Sequence, residues 1–136
     1  MAEHWTKASA FAYFDGAIAR NPRWSWSARS PDGRTVVLGL WKDDINCDGE
    51  SVVVDMFNHE RLHLWTGKLG NRERMENLIW ARDHCNGLFR VVITVAKDPK
   101  AYPRSIAKCY PHESLVMKLM KLDEDTGEFR AVSVSS

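Results

Sequence analysis

The sequence predicts an α+β fold: a mostly antiparallel sheet of about six strands with two main helices, in one domain spanning residues 1–136. A sheet of short strands like these would also suit a small open barrel. Three observations predict this class. Alternating or β-branched runs bounded by Gly, Pro, Asn and Asp recur along the chain. Two stretches carry the 3–4 spacing of helices with one buried face. Two pairs of strand-like runs are joined by short turn sequences, which makes those neighbours antiparallel.

Trp5 to Ala19 reads as the first helix, with Trp5, Ala8, Phe11, Ala12 and Ile18 near one face. Gly16 weakens its last turn. Asn21-Pro22 ends it, because proline disfavours the α conformation in the preceding residue. Arg23 to Ser30 alternates Trp24, Trp26 and Ala28 with Arg23, Ser25, Ser27 and Arg29, the pattern of a half-buried strand. In Ser30-Pro31-Asp32-Gly33, proline presets φ and glycine accepts a positive φ, so the chain turns. Arg34 to Trp41 returns as the partner strand of a hairpin. Pairing Ser30 with Gly33 would put Trp41 on the face of Trp24 and Trp26; pairing it with Arg34 would put Trp41 on the other face.

Lys42 to Glu50, with Asp43, Asp44 and Asp48, reads as an acidic loop. Ser51 to Phe57 is a third strand, apolar enough for the centre of a sheet. Asn58 to Leu69 suits either a short helix or an extended segment. Gly70-Asn71 opens the second helix, which runs through Cys85 with Asn71 as its N-cap. Met75, Leu78, Ile79 and Arg82 form its expected buried stripe, and Asn86-Gly87 its stop. Leu88 to Ala96 is a strand. Asp98 to His112 carries Pro99, Pro103 and Pro111 and reads as an irregular excursion with room for one helical turn. Leu115 to Leu122 and Glu128 to Val134 flank Asp123–Gly127 as a second hairpin.

The formal charge of +1 sets 19 basic against 18 acidic side chains, which argues against a polybasic protein but leaves room for a local basic face. Apolar content of 44% matches a soluble globular domain, and no apolar run approaches the roughly 20 residues that span a bilayer. Met1 to Lys7 lacks the charged and apolar regions of a signal peptide. Cys47, Cys85 and Cys109 are odd in number and widely spaced, so reduced thiols in the cytoplasm are expected, with no membrane association and no cofactor.

Six tryptophans are the compositional signal that bears on function. Trp24 and Trp26, with Trp41, Arg23 and Arg29 nearby, either fill the core or form an aromatic platform on which a base stacks. Lys68 to Arg74 supplies a second element. Arg72 and Arg74 are cations at a helix start, where the dipole favours anions, so a phosphate there would relieve the conflict. The bland alternative pairs both arginines with Glu73 and Glu76 on a solvated face.

The leading expectation is therefore a non-catalytic nucleic-acid-binding domain with an aromatic and basic pocket for a flipped or modified base. Its site would comprise Arg23, Trp24, Trp26, Arg29, Trp41, Asn71, Arg72 and Arg74. A second reading starts from His59-Glu60-Arg61-Leu62-His63. Histidines four apart on a helix can hold zinc while the glutamate polarises bound water, and the spacing resembles that of zinc-dependent metallopeptidases. That resemblance covers five residues, and the charged Arg61 departs from the family's pattern. It would imply a hydrolase with His59 and His63 as metal ligands. The third reading is a protein-interaction module, with a copy of this chain or another protein covering the aromatic patch. The acidic residues Asp43, Asp44, Asp48 and Asp55 fit a solvated loop better than a Mg²⁺ site.

Overall fold

A computed structural model describes residues 5–21, 25–48, 51–57, 68–98 and 106–134. Its elements are α1 (Lys7–Ala12), β1 (Ser27–Arg29), β2 (Val36–Trp41), a 3₁₀ turn (Lys42–Asp44), β3 (Ile45–Asp48) and β4 (Ser51–Asp55). They continue with α2 (Leu69–His84), β5 (Leu88–Ala96), β6 (Ile106–Leu122) and β7 (Phe129–Ser133). The strands form one seven-stranded sheet in the order β1-β2-β5-β6-β7-β4-β3. All neighbours are antiparallel except β2 and β5, which are parallel because α2 lies in the connection between them. The fold is thus α+β, as expected. The sheet does not close: β1 and β3 stand at opposite edges, so the barrel expectation is corrected.

Each face of the sheet buries its own core. Val36, Leu38 and Leu40 of β2 face α2, together with Phe89, Val91 and Ile93 of β5, Met117 of β6 and Phe129 of β7. Val37 and Val92 point the other way and pack with Ala10, Phe11 and Phe14. The period-two alternation of a strand produces this division. A strand covered on both faces reads as continuously apolar, which describes β2 and β5.

Several elements depart from expectation for local reasons. Helix α1 has only six residues, capped by Thr6 with Ser9 in a reciprocal capping box. It ends early because Asp15 and Gly16 both take positive φ, after which Ile18 pairs with Arg29 at the sheet edge. Strand β1 is three residues long rather than spanning Arg23 to Ser30. A bend at Trp26 breaks the alternation. Trp26 packs against the core facing α2, whereas Ala28 joins the opposite core.

The hairpin register is neither of the two considered. The Ser30 N–H donates to the Thr35 carbonyl, and Ser27 pairs with Leu38. The acidic segment is not all loop, since its second half forms β3. Strand β4 lies one position from the edge, not at the centre. The proline-rich excursion ends at Ile106, where the long β6 begins and runs through Pro111. Proline is tolerated there because the β5–β6 register shifts between Arg90 and Val92, beside its partner Val92. The Arg90 side chain donates to the carbonyls of Leu115 and Glu113 in that irregular stretch.

Helix α2 departs most in character. Its N-cap is Lys68, without a side-chain capping bond, so Asn71 is an interior residue and not the cap. Its buried positions are Gly70, Asn71, Glu73, Arg74, Asn77, Leu78 and Ala81. Of the stripe Met75, Leu78, Ile79 and Arg82, only Leu78 is fully buried, and four polar side chains take the inner face instead.

Candidate functional site

Four inward polar side chains on one helix need partners, because burying an unpaired polar group costs free energy. The sequence places them at 71, 73, 74 and 77, spacing that sweeps one side of α2. Asn71 is 1% exposed and donates from Nδ2 to the Thr126 carbonyl in the β6–β7 turn, 2.8 Å away. Arg74 is buried with its guanidinium 5.1 Å from the ring centres of both Trp26 and Phe129, and it donates weakly to Asn71 Oδ1. Burial pulls its pKa down to about 10, with the Asp44 carboxylate opposing the shift. The group still carries its proton at neutral pH, so two aromatic faces and the field of Asp44 offset its lost hydration.

The other half of α2 meets the first hairpin. Asn77 donates from Nδ2 to Ser27 Oγ at 2.7 Å and accepts from Arg29 Nε at 3.0 Å. The Arg29 guanidinium lies 4.3 Å from the Trp80 ring centre. Trp80 Nε1 in turn donates to the Gly33 carbonyl at 2.7 Å, fixing the hairpin turn to the helix. Arg29 is therefore held by a hydrogen bond on one side and an aromatic ring on the other. Its terminal nitrogens make no hydrogen bond among the described residues.

An open cleft of about 300 Å³ lies beside this arrangement, lined by Ile18, Ala19, Arg20, Arg29, Glu73, Glu76 and Asn77. Arg20 donates from Nη2 to Glu76 at 3.1 Å on the exposed rim. Glu73 is 5% exposed and accepts the Arg20 backbone N–H on Oε2 at 3.0 Å. Its other oxygen, Oε1, is buried with no hydrogen-bond donor among the described residues. Lys7 of α1 lies within electrostatic reach of Glu73. Burial pushes the Lys7 ammonium below its usual range, while Cys109 and Glu73 act in the opposite sense.

The expected site is only partly assembled. Arg23 and Trp24 lie outside the described residues, as do His59, Glu60 and His63 of the zinc reading. Trp26 is half-buried with Arg74 against its ring. Trp41 continues the row of Val37 and Gly39, which meets α1, so the structure puts it on the opposite face from Trp26. Asn71 and Arg74 are buried in helix packing, and Arg72 is exposed. Neither arginine is neutralised by Glu73 or Glu76 in the expected way, since both glutamates engage Arg20.

Sequence reasoning missed Arg20, Asn77 and the role of Glu73. The available signal was the placement of Glu73, Glu76 and Asn77 at helical spacing on one side of α2. Among the described residues, no group of three or more His, Cys, Asp or Glu side chains could hold a metal, and no helix is long and apolar enough to cross a membrane. No protein-family model matches the chain, and no curated protein or solved structure matches it.

Proposed function

We propose that the protein binds nucleic acid without chemistry of its own, through the cleft between residues 18–20, β1 and α2. The observation that carries this reading is Arg29. Its guanidinium is pre-set by Asn77 and Trp80 on the cleft wall, and its terminal nitrogens make no hydrogen bond among the described residues. A planar, pre-organised guanidinium suits a phosphate or a base edge better than a flexible ammonium does. Arg20 supports the reading as a second cation. Its exposed pair with Glu76 is worth little, so exchange for a phosphate costs little. Arg72 adds an exposed cation on α2.

Two phosphate contacts predict modest affinity and a shallow salt dependence, with log K falling by roughly 2 per tenfold rise in salt. The test is a titration of single-stranded and duplex oligonucleotides at about 50 mM and about 200 mM salt. Wild-type protein is expected to bind at low salt. Arg29→Gln is expected to weaken binding to every sequence and to reduce the salt slope by about 1. Absence of binding to any oligonucleotide at low salt would remove this function.

A further inference from the structure

Glu73 is the feature of the cleft that fold stability does not explain. A carboxylate oxygen with no donor among the described residues, on a residue 95% withdrawn from solvent, costs free energy that the protein recovers only if something donates to it. The cleft beside it sits at the small end of ligand sites, the scale of one nucleotide. Its surroundings select the kind of donor. Arg20 and Arg29 line the same cleft, and Lys7 adds positive field from α1. The lining is mixed, two arginines with two glutamates, and a lysine side chain of another protein would offer no anion to the arginines. A neutral amino group attached to an anionic backbone matches both kinds of group, with its donor toward Glu73 and its phosphate toward the arginines.

We propose, resting on the nucleic-acid reading above, that Glu73 accepts a hydrogen bond from the exocyclic amino group of a single amino-bearing base (adenine, cytosine or guanine) seated in this cleft. Adenine, cytosine and guanine each present an amino donor at the edge of the ring, carboxylates accept from such amino groups, and thymine alone lacks one. Thymine carries its one ring N–H between two carbonyl oxygens, which a carboxylate repels. The site therefore discriminates between bases through a carboxylate held before binding by the Arg20 N–H on its other oxygen.

The test compares equal-length oligo-dC, oligo-dA and oligo-dT by fluorescence anisotropy, with wild-type protein, Glu73→Gln and Arg29→Gln. Wild type is expected to favour dC or dA over dT by about tenfold, the size of one charge-assisted hydrogen bond. Glu73→Gln offers a donor as well as an acceptor, so the preference should collapse while dT binding persists. Arg29→Gln should weaken all three and keep their ratio. Firm binding by wild type with no preference among the three overturns the role of Glu73 and leaves the nucleic-acid reading intact. Binding to none of them overturns both. The wild-type comparison decides the matter even if a variant fails to fold.

Discussion

At the scale of single residues, close backbone approach and exposed acidic turns set the clearest expectations. Gly127 takes φ +85°, and a side chain there would run into the Asn71 amide that caps the β6–β7 turn. Gly127→Ala is therefore expected to cost about 1–3 kcal/mol, read as a lower urea midpoint with unchanged slope. A neutral result would mean that Asn71 does not hold that turn. Asp32 accepts hydrogen bonds from the Ser30 hydroxyl and the Arg34 N–H, which hold its carboxyl below the usual carboxylate range. Because the folded pKa is depressed, its contribution is present above the ordinary value near 4 and is lost as pH falls through the folded value. Asp32→Asn should flatten the acid limb of a stability-versus-pH curve. An unchanged acid limb would show that the turn does not depend on that charge.

At the scale of elements, α2 is attached as much by polar bonds as by apolar area. Leu78 and Ala81 are its fully buried apolar residues in the core it shares with the sheet. Asn77 joins it to Ser27 and Arg29 of the edge strand β1, and Trp80 joins it to Gly33. Asn77→Ala removes both bonds to β1 and leaves the buried Ser27 hydroxyl without its donor, at an expected cost of about 1–3 kcal/mol. The same change frees Arg29 to rotate, so oligonucleotide affinity should fall together with stability. Loss of stability with full affinity would show that Trp80 alone positions Arg29. Helical periodicity placed α2 to within a residue or two, yet its inner face was misjudged. A periodic pattern reports apolar side chains, whereas Asn71, Glu73 and Asn77 go inward with at least one hydrogen bond each to a distant segment, and Arg74 goes inward against the rings of Trp26 and Phe129.

At the scale of the whole molecule, β7 is the joint. It pairs with β6 on one side and β4 on the other, so among the described residues it is the strand that joins the β3–β4 ribbon to the rest of the sheet by hydrogen bonds. It also supplies Phe129 and Ala131 to the core. A chain ending after Leu122 should therefore lose its cooperative thermal transition, followed by far-UV circular dichroism. Persistence of a sharp transition would mean that β4 docks by another route. The cleft is likewise a property of the whole, since residues 18–20, Arg29 and Glu73 meet only when the edge of the sheet and α2 are both in place.

What the sequence by itself determined is local. The Ser30–Gly33 turn, strand β5, the β6–β7 hairpin, the span of α2 and the α+β class follow from turn chemistry and from periods of two or 3.6, which a dozen residues suffice to express. Tertiary structure alone decided the hairpin register, the division of Trp26 and Trp41 between two faces, the added strand β3 and the polar lining of α2. The reason is physical. A side chain's face and partners depend on contacts across fifty residues or more, such as Arg20 with Glu73, and those contacts can reverse a local preference whose own energy is small.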